Sequence, residues 1–172
     1  RGAEANIMNY DGEIDLPEII SSRLDIVIAS LHDVCIEPGT KEENTNALIQ
    51  VMNNKYVDVI GHSGNPRFPI DIDKFVKAAK ENNVLIEINN SSFVTASRIG
   101  SYDNCKEIAK KAKELGAKVI VGSDSHICYT LREYSNAIVL FKDINMPEEL
   151  VMNISKDRLI EHLKAKGKIQ DL

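Results

Sequence analysis

Four short runs rich in valine and isoleucine recur along the chain and constrain its fold more than any other feature. They are Ile26-Val27-Ile28-Ala29, Val57-Asp58-Val59-Ile60, Val84-Leu85-Ile86-Glu87-Ile88 and Lys118-Val119-Ile120-Val121. Near-continuous apolar runs of this length suit strands of a parallel sheet covered on both faces. The runs start at residues 26, 57, 84 and 118, intervals of 31, 27 and 34 residues. A strand–helix–strand unit takes ~30 residues, so each interval holds one unit. No sequence repeat accompanies the period; the repetition is architectural.

Helical patterns fill the intervals. Thr40 stands three residues before Glu43, a capping-box spacing, and Ala47, Leu48, Val51 and Met52 follow as an apolar stripe. A second helix starts at Asp71-Ile72-Asp73, with Phe75, Val76 and Ala79 on one face. A third carries Ile108, Ala109, Ala112 and Leu115 and stops at Gly116. Residues 4–9 are expected to add one more strand, closed by a turn at Asp11-Gly12. Beyond Asp124 the pattern predicts a short helix after Thr130, a strand at Ile138-Val139-Leu140-Phe141, a helical turn at Pro147-Glu148-Glu149 and a last helix. Ser155 caps that helix, which ends near Gly167. Alternating strand and helix order means a parallel sheet, open and doubly wound or closed into a barrel. Residues 1–172 are read as a single domain.

In either architecture, chemistry collects where strands end. The first run leads into Ser30-Leu31-His32-Asp33, the second into Gly61-His62-Ser63-Gly64-Asn65-Pro66, the third into Asn89-Asn90-Ser91-Ser92 and the fourth into Gly122-Ser123-Asp124-Ser125-His126. Three of the four histidines thus stand at the C-terminal ends of three different strands. A lone histidine is more often a hydrogen-bonded structural residue, but three at convergent strand ends are what a metal cluster needs. Imidazole nitrogens suit zinc and similar ions, and carboxylates bridge pairs of them. His162, between Glu161 and Leu163, is expected at a surface or an interface. The carboxylate partner is not separable on chemistry alone among Glu4, Glu13 and Asp15. There is no GxSxG, GxGxxG or GxxxxGK[ST] motif. A Cys128–His126 couple is set aside, because i and i+2 on a turn rarely face each other.

Composition narrows the remaining classes. The 43% hydrophobic content of the 172 residues excludes disorder, and no apolar run approaches a transmembrane length. A net charge of −5 argues against a nucleic-acid partner held by bulk charge. Three cysteines, Cys35, Cys105 and Cys128, form no CxxC pair and suggest free thiols in a reducing, cytoplasmic setting, with Cys105 a buried apolar filler.

These residues together resemble a known family. Arg1-Gly2-Ala3-Glu4-Ala5-Asn6 with Asp11-Gly12-Glu13-Ile14-Asp15, then Ser30-Leu31-His32, Gly61-His62-Ser63-Gly64-Asn65-Pro66, Glu87-Ile88-Asn89-Asn90-Ser91-Ser92-Phe93 and Gly122-Ser123-Asp124-Ser125-His126, are similar in order and spacing to PHP (polymerase and histidinol phosphatase) domain phosphoesterases of the YcdX-type branch. The resemblance covers essentially the whole chain. It implies a distorted (β/α)7 TIM-like barrel with up to three metal ions, usually zinc, with manganese, iron or cobalt compatible. It implies that Glu4 bridges two metals, that His32 and His62 bind one of them, that Asp124 binds the other and that His126 binds a third. The family's HxH motif and two further histidines have no counterpart here. The chain, opening at Arg1 without a methionine, is therefore expected to be the C-terminal two-thirds of such a barrel, with little activity of its own.

The function implied is metal-dependent hydrolysis of a small phosphate monoester, with Glu4 and Asp124 as catalytic carboxylates and Asn90, Ser91 and Arg98 as substrate contacts. A nuclease or phosphodiesterase acting on nucleic acid or nucleotides, and an inactive metal-binding fragment, are the alternatives. Edge strands left by an open barrel further predict pairing with a second copy.

Overall fold

The computed structural model describes residues 1–168. Five parallel strands form one sheet in sequential order: β1 (Gly2–Asn6), β2 (Ile26–Ser30), β3 (Val59–Ile60), β4 (Leu85–Asn89) and β5 (Val119–Gly122). Between them run α1 (Glu18–Ser21), α2 (Lys41–Met52), α3 (Ile72–Glu81) and α4 (Ser101–Leu115), with α5 (Ser135–Asp143) and α6 (Lys156–Ala165) after the sheet. The fold class is α/β, and the sheet is open, with β1 and β5 at its two ends. No helix among the described residues is long and apolar enough to cross a membrane.

Local chemistry sets the helix ends. At α2, Thr40 Oγ1 accepts from Glu43 N–H at 3.2 Å while the Glu43 carboxylate accepts from Thr40 N–H at 2.8 Å, the reciprocal capping box. Asp71 and Ser155 cap α3 and α6 by the same side-chain device. Gly116, at φ +70°, ends α4 in the left-handed conformation that side chains resist.

Strand alternation gives the sheet two unlike faces. On one face Ala5, Val27, Ala29, Ile60, Ile86, Ile88 and Val119 meet the apolar stripes of α2, α3, α4 and α5 in the main core. The other face is layered along its strands. Ile26, Ile28, Val59, Leu85 and Ile120 form an apolar floor near the strand starts, where Met152 and Leu159 cover them. Nearer the strand ends the same face carries Glu4, Asn6, Ser30, Glu87 and Asn89. Two glycines make room for that polar layer: a Cβ at Gly61 would collide with Ser30 Oγ, and one at Gly122 with the Glu87 carboxylate.

Two expectations fail here. The predicted strand at 138–141 is part of α5: Ala137 and Leu140, three apart, are buried, while Ile138 and Val139 face out. The run of β-branched residues mimicked a strand, but the burial period is helical. The helix expected after Thr130 starts at Ser135, after a 3₁₀ turn at Cys128–Thr130. His162 is not on the surface; it is 4% exposed. Leu159, His162 and Leu163 share one stripe of α6, and that stripe faces the sheet. The cysteines are free thiols, and burial pushes the Cys105 thiol up to about 12, as a packed apolar filler requires.

Candidate metal centre

Glu4 and Asn6 lie two residues apart on β1, so both project to the polar face of the sheet, opposite Ile28 and Ser30 of β2. His32 follows β2 by two residues and His62 follows β3 by two. The His62 backbone has φ +26°, a conformation a histidine rarely adopts. The buried Glu87 carboxylate holds it there, accepting the His62 N–H at 2.7 Å and the Asn89 amide at 3.2 Å.

Three side chains then converge. His32 Nε2 and His62 Nε2 are 3.0 Å apart, and Glu4 Oε1 lies 3.3 Å from His62 Nε2 and 3.6 Å from His32 Nε2. Ligand atoms about 2.0–2.2 Å from a tetrahedral ion are separated by about 3.3–3.6 Å, so this triangle is near the size of one face of such a site. Among the described residues, Glu4, His32 and His62 form the group able to hold a metal ion.

The proton on His32 can be placed by following its hydrogen bonds. Asp15 accepts from Asn6 N–H at 2.8 Å and from Asn6 Nδ2 at 2.6 Å. A carboxylate only accepts, so the Asn6 amide must turn its NH₂ to Asp15 and its Oδ1 to His32 Nδ1, 2.7 Å away. His32 Nδ1 therefore carries the hydrogen, and Nε2 presents a bare lone pair to the centre. The electrostatics agree. His62 and Ser30, whose Oγ donates at 2.6 Å, hold the Glu4 carboxyl down to about 2, overcoming burial. Burial, then the neighbouring His62, pushes His32 below its ordinary 6.5 and keeps it neutral. Glu87 is pushed up, chiefly by burial. An ionised oxygen and an imidazole lone pair thus converge beside a second imidazole, and this donor set fits a divalent cation.

The other residues named from the sequence lie around this triangle. Asp124, at φ +50°, accepts from Arg98 Nη1 at 2.6 Å, and Arg98 also reaches Ser92 Oγ at 3.4 Å. His126 is largely exposed and donates from Nδ1 to its neighbour's carbonyl, Asp124 O, at 3.0 Å. Neither Asp124 nor His126 belongs to the converging group. Asn90 is buried and its Oδ1 accepts from Ala137 N–H at the start of α5, while Ser91 Oγ pairs with Thr95 Oγ1. Of the carboxylates left open on chemistry, Glu4 enters the triangle, Asp15 orients Asn6, and Glu13 accepts from the turn residue Asn9. Sequence reasoning missed Asn6, Ser30 and Glu87. The period-2 spacing from Glu4 could have found Asn6; nothing local marks the other two.

No protein-family model matches the chain. Among curated proteins it is 55% identical over 171 residues to a probable phosphatase of Clostridium acetobutylicum, spanning 99% of this chain and 70% of that protein. It is 58% identical over 169 residues to a probable phosphatase of Caldanaerobacter subterraneus, covering 98% and 66% of the two chains. A probable phosphatase of Acetivibrio thermocellus is 51% identical over 166 residues, covering 96% and 68%. With identity this high over nearly its whole length, the chain belongs to this family of probable phosphatases.

Proposed function

We propose that the chain carries the metal-binding wall of a PHP-type phosphatase that hydrolyses a small phosphate monoester. The observation that carries this reading is the triangle of Glu4, His32 and His62 at the strand ends, in a chain whose relatives are named phosphatases. The fold supports it further. Neighbouring strands follow one another without reversal, and α2 to α5 pack on one face. A doubly wound sheet reverses its order; a barrel wall does not. The relatives are longer than this chain, and we assign to their remaining length the strands that would close a YcdX-type (β/α)7 barrel.

Glu4, His32 and His62 would hold the first ion, zinc by the donor set, with manganese, iron and cobalt compatible. Glu4 and Asp124 would share a second, and His126 would contribute to a third. The chemistry supplied by such ions is activation of water near neutral pH and polarisation of phosphoryl oxygens. Glu4 stays ionised at any working pH and offsets the cationic charge. His32 keeps its lone pair forward through Asn6 and Asp15. Arg98 is aimed by Asp124, and its remaining N–H groups suit phosphate oxygens. Ser91 and Asn90 stand at the same strand end, where Asn90 anchors α5 against the site. The acidic net charge fits a small substrate better than a nucleic acid.

The test is release of inorganic phosphate from p-nitrophenyl phosphate and a panel of natural phosphate esters by the C. acetobutylicum relative and by this chain, with and without added Zn²⁺ or Mn²⁺. Turnover by the relative that depends on metal and is lost on chelation is expected, with a lower rate for this chain. Metal-independent turnover, or none by the relative with any ester, would contradict the proposal.

A further inference from the structure

Beside the converging triangle lies a cavity of about 110 Å³ that shares His32 and His62 with it and is otherwise walled by Asp33, Arg67 and Arg98 among its polar residues. Two arginines line this small pocket. Their settings differ. Arg98 is 16% exposed and is held by Asp124 and Ser92, deep beside the centre. Arg67 is 55% exposed at the mouth, and among the described residues its side chain pairs with Asp33, the residue that follows His32.

Arg67 also stands on a stiff support. Its N–H donates to Asn65 Oδ1 at 3.1 Å, Phe68 N–H to Asn65 O at 3.0 Å and Asn65 N–H to His62 O at 3.3 Å. Asn104 Nδ2, from α4, fixes Gly64 O at 3.0 Å. The turn that presents His62 to the centre therefore presents Arg67 to the mouth of the same cavity, and Asp33 tethers it there. A solvated surface pair would be worth little to stability. A planar guanidinium with several uncommitted N–H groups, held over a pocket, is suited to a planar or tetrahedral oxyanion.

We infer that Arg67 is a specificity residue that reads a second anionic group, a carboxylate or a second phosphate a few bonds from the scissile ester. The inference rests on the proposed phosphatase reading and names its substrate class: phosphate monoesters of an acidic alcohol. Arg98 serves the phosphoryl group at the centre, and Arg67 serves the remote anion.

The test compares three esters of one carbon skeleton: glycerol 3-phosphate, 3-phosphoglycerate and 2,3-bisphosphoglycerate. Their binding to the Zn²⁺-loaded chain is measured by calorimetry, and their kcat and KM are measured on the C. acetobutylicum relative where the aligned position is also basic. At least tenfold tighter binding of one or both acidic esters is expected; a gain shared by both assigns the carboxylate they have in common, and a gain confined to 2,3-bisphosphoglycerate assigns the second phosphate. R67E should abolish or invert that preference, and R67K should retain part of it, while metal content measured by mass spectrometry stays the same. Equal binding of all three esters overturns the inference alone. An equal loss for all three in R67E also overturns it, by placing Arg67 on the scissile phosphate. Failure of the metal-loaded chain to bind any ester while the relative turns them over overturns the inference alone; absence of metal-dependent turnover by the relative overturns the phosphatase reading, and this inference with it.

Discussion

At the start of β3, Asp58 is fully buried with Lys166 and Lys168 against it; at the far end of the same sheet, Glu4 is ringed by two imidazoles. Asp58 accepts from Val27 N–H at 2.8 Å, and its oxygens lie 3.5 Å from Lys166 Nζ and 3.3 Å from Lys168 Nζ. The lysines also donate to Val57 O at 2.7 Å and Tyr56 O at 2.9 Å. Burial pushes Asp58 up and Lys166 down, so desolvation outweighs the pairing, and the one carboxylate is shared by two ammonium groups of the same chain. At the other end, among the described residues, the ion-pair partners of Glu4 are His62 and His32, and burial keeps His32 neutral. One end is closed by its own ammonium groups. The other gathers electron pairs, a set that could hold a cation from outside.

That contrast can be broken by exchanging its terms. The largest effect is expected from H62A, which removes one of the three proposed ligands. Four-ligand zinc sites are worth about 10–16 kcal/mol, so one ligand carries roughly 2.5–4, or about a hundredfold to several hundredfold in affinity. Competition with a chelator measures it. D58N should leave that affinity unchanged.

The next effect belongs to the closed end. D58A strands two buried ammonium groups and should cost about 3 kcal/mol in urea denaturation. In the metal-stripped chain, E4Q weakens the hydrogen bonds that Glu4 accepts and should cost less than D58A, about 1–2 kcal/mol.

Smaller still is the support for His32. N6L leaves the tautomer of His32 unfixed and should weaken metal binding about 10–100-fold without altering stoichiometry. If N6L binds as the parent does, the chain from Asp15 through Asn6 does not orient the ligand.

The smallest effect is a pH dependence at the closed end. Burial, with Lys118 and Lys166 nearby, pushes His162 down to about 4 from 6.5. Between those values the unfolded chain takes up a proton that the folded chain refuses, so stability falls as pH falls from 6.5 to 4 and is fully present above 6.5. One unit of displacement corresponds to about 1.4 kcal/mol, so the slope across the window is at most about 1.4 kcal/mol per pH unit. In H162Q this part of the slope should vanish; an unchanged slope would assign it to other groups.

How much of this was legible follows from the same two ends. The period of the apolar runs located all four later strands, and histidines at strand ends were visible because three of the four runs lead into one. The choice of Glu4 over Glu13 and Asp15 was not visible on chemistry, since it depends on which residues of β1 share a face with Ser30 of β2. Only the family resemblance favoured it. Asn6 shares the face of Glu4 by the strand's period of two, but its partner His32 lies 26 residues away, and Glu87 acts on His62 from 25 residues away with no local pattern to mark it. At the other end, reading His162 as a surface or interface residue failed because Lys118 and the sheet edge, distant in sequence, receive that face of α6. The same cause misread residues 138–141: packing, not β propensity, chose a helix.

The most direct measurement is a calorimetric titration of the metal-stripped chain with Zn²⁺ at neutral pH. One tightly bound equivalent is predicted, lost in E4A, H32A and H62A and retained in D124A and H126A. Absence of a tight equivalent in the parent chain, or its survival in all three ligand variants, would contradict the assignment of the strand-end triangle as a metal centre.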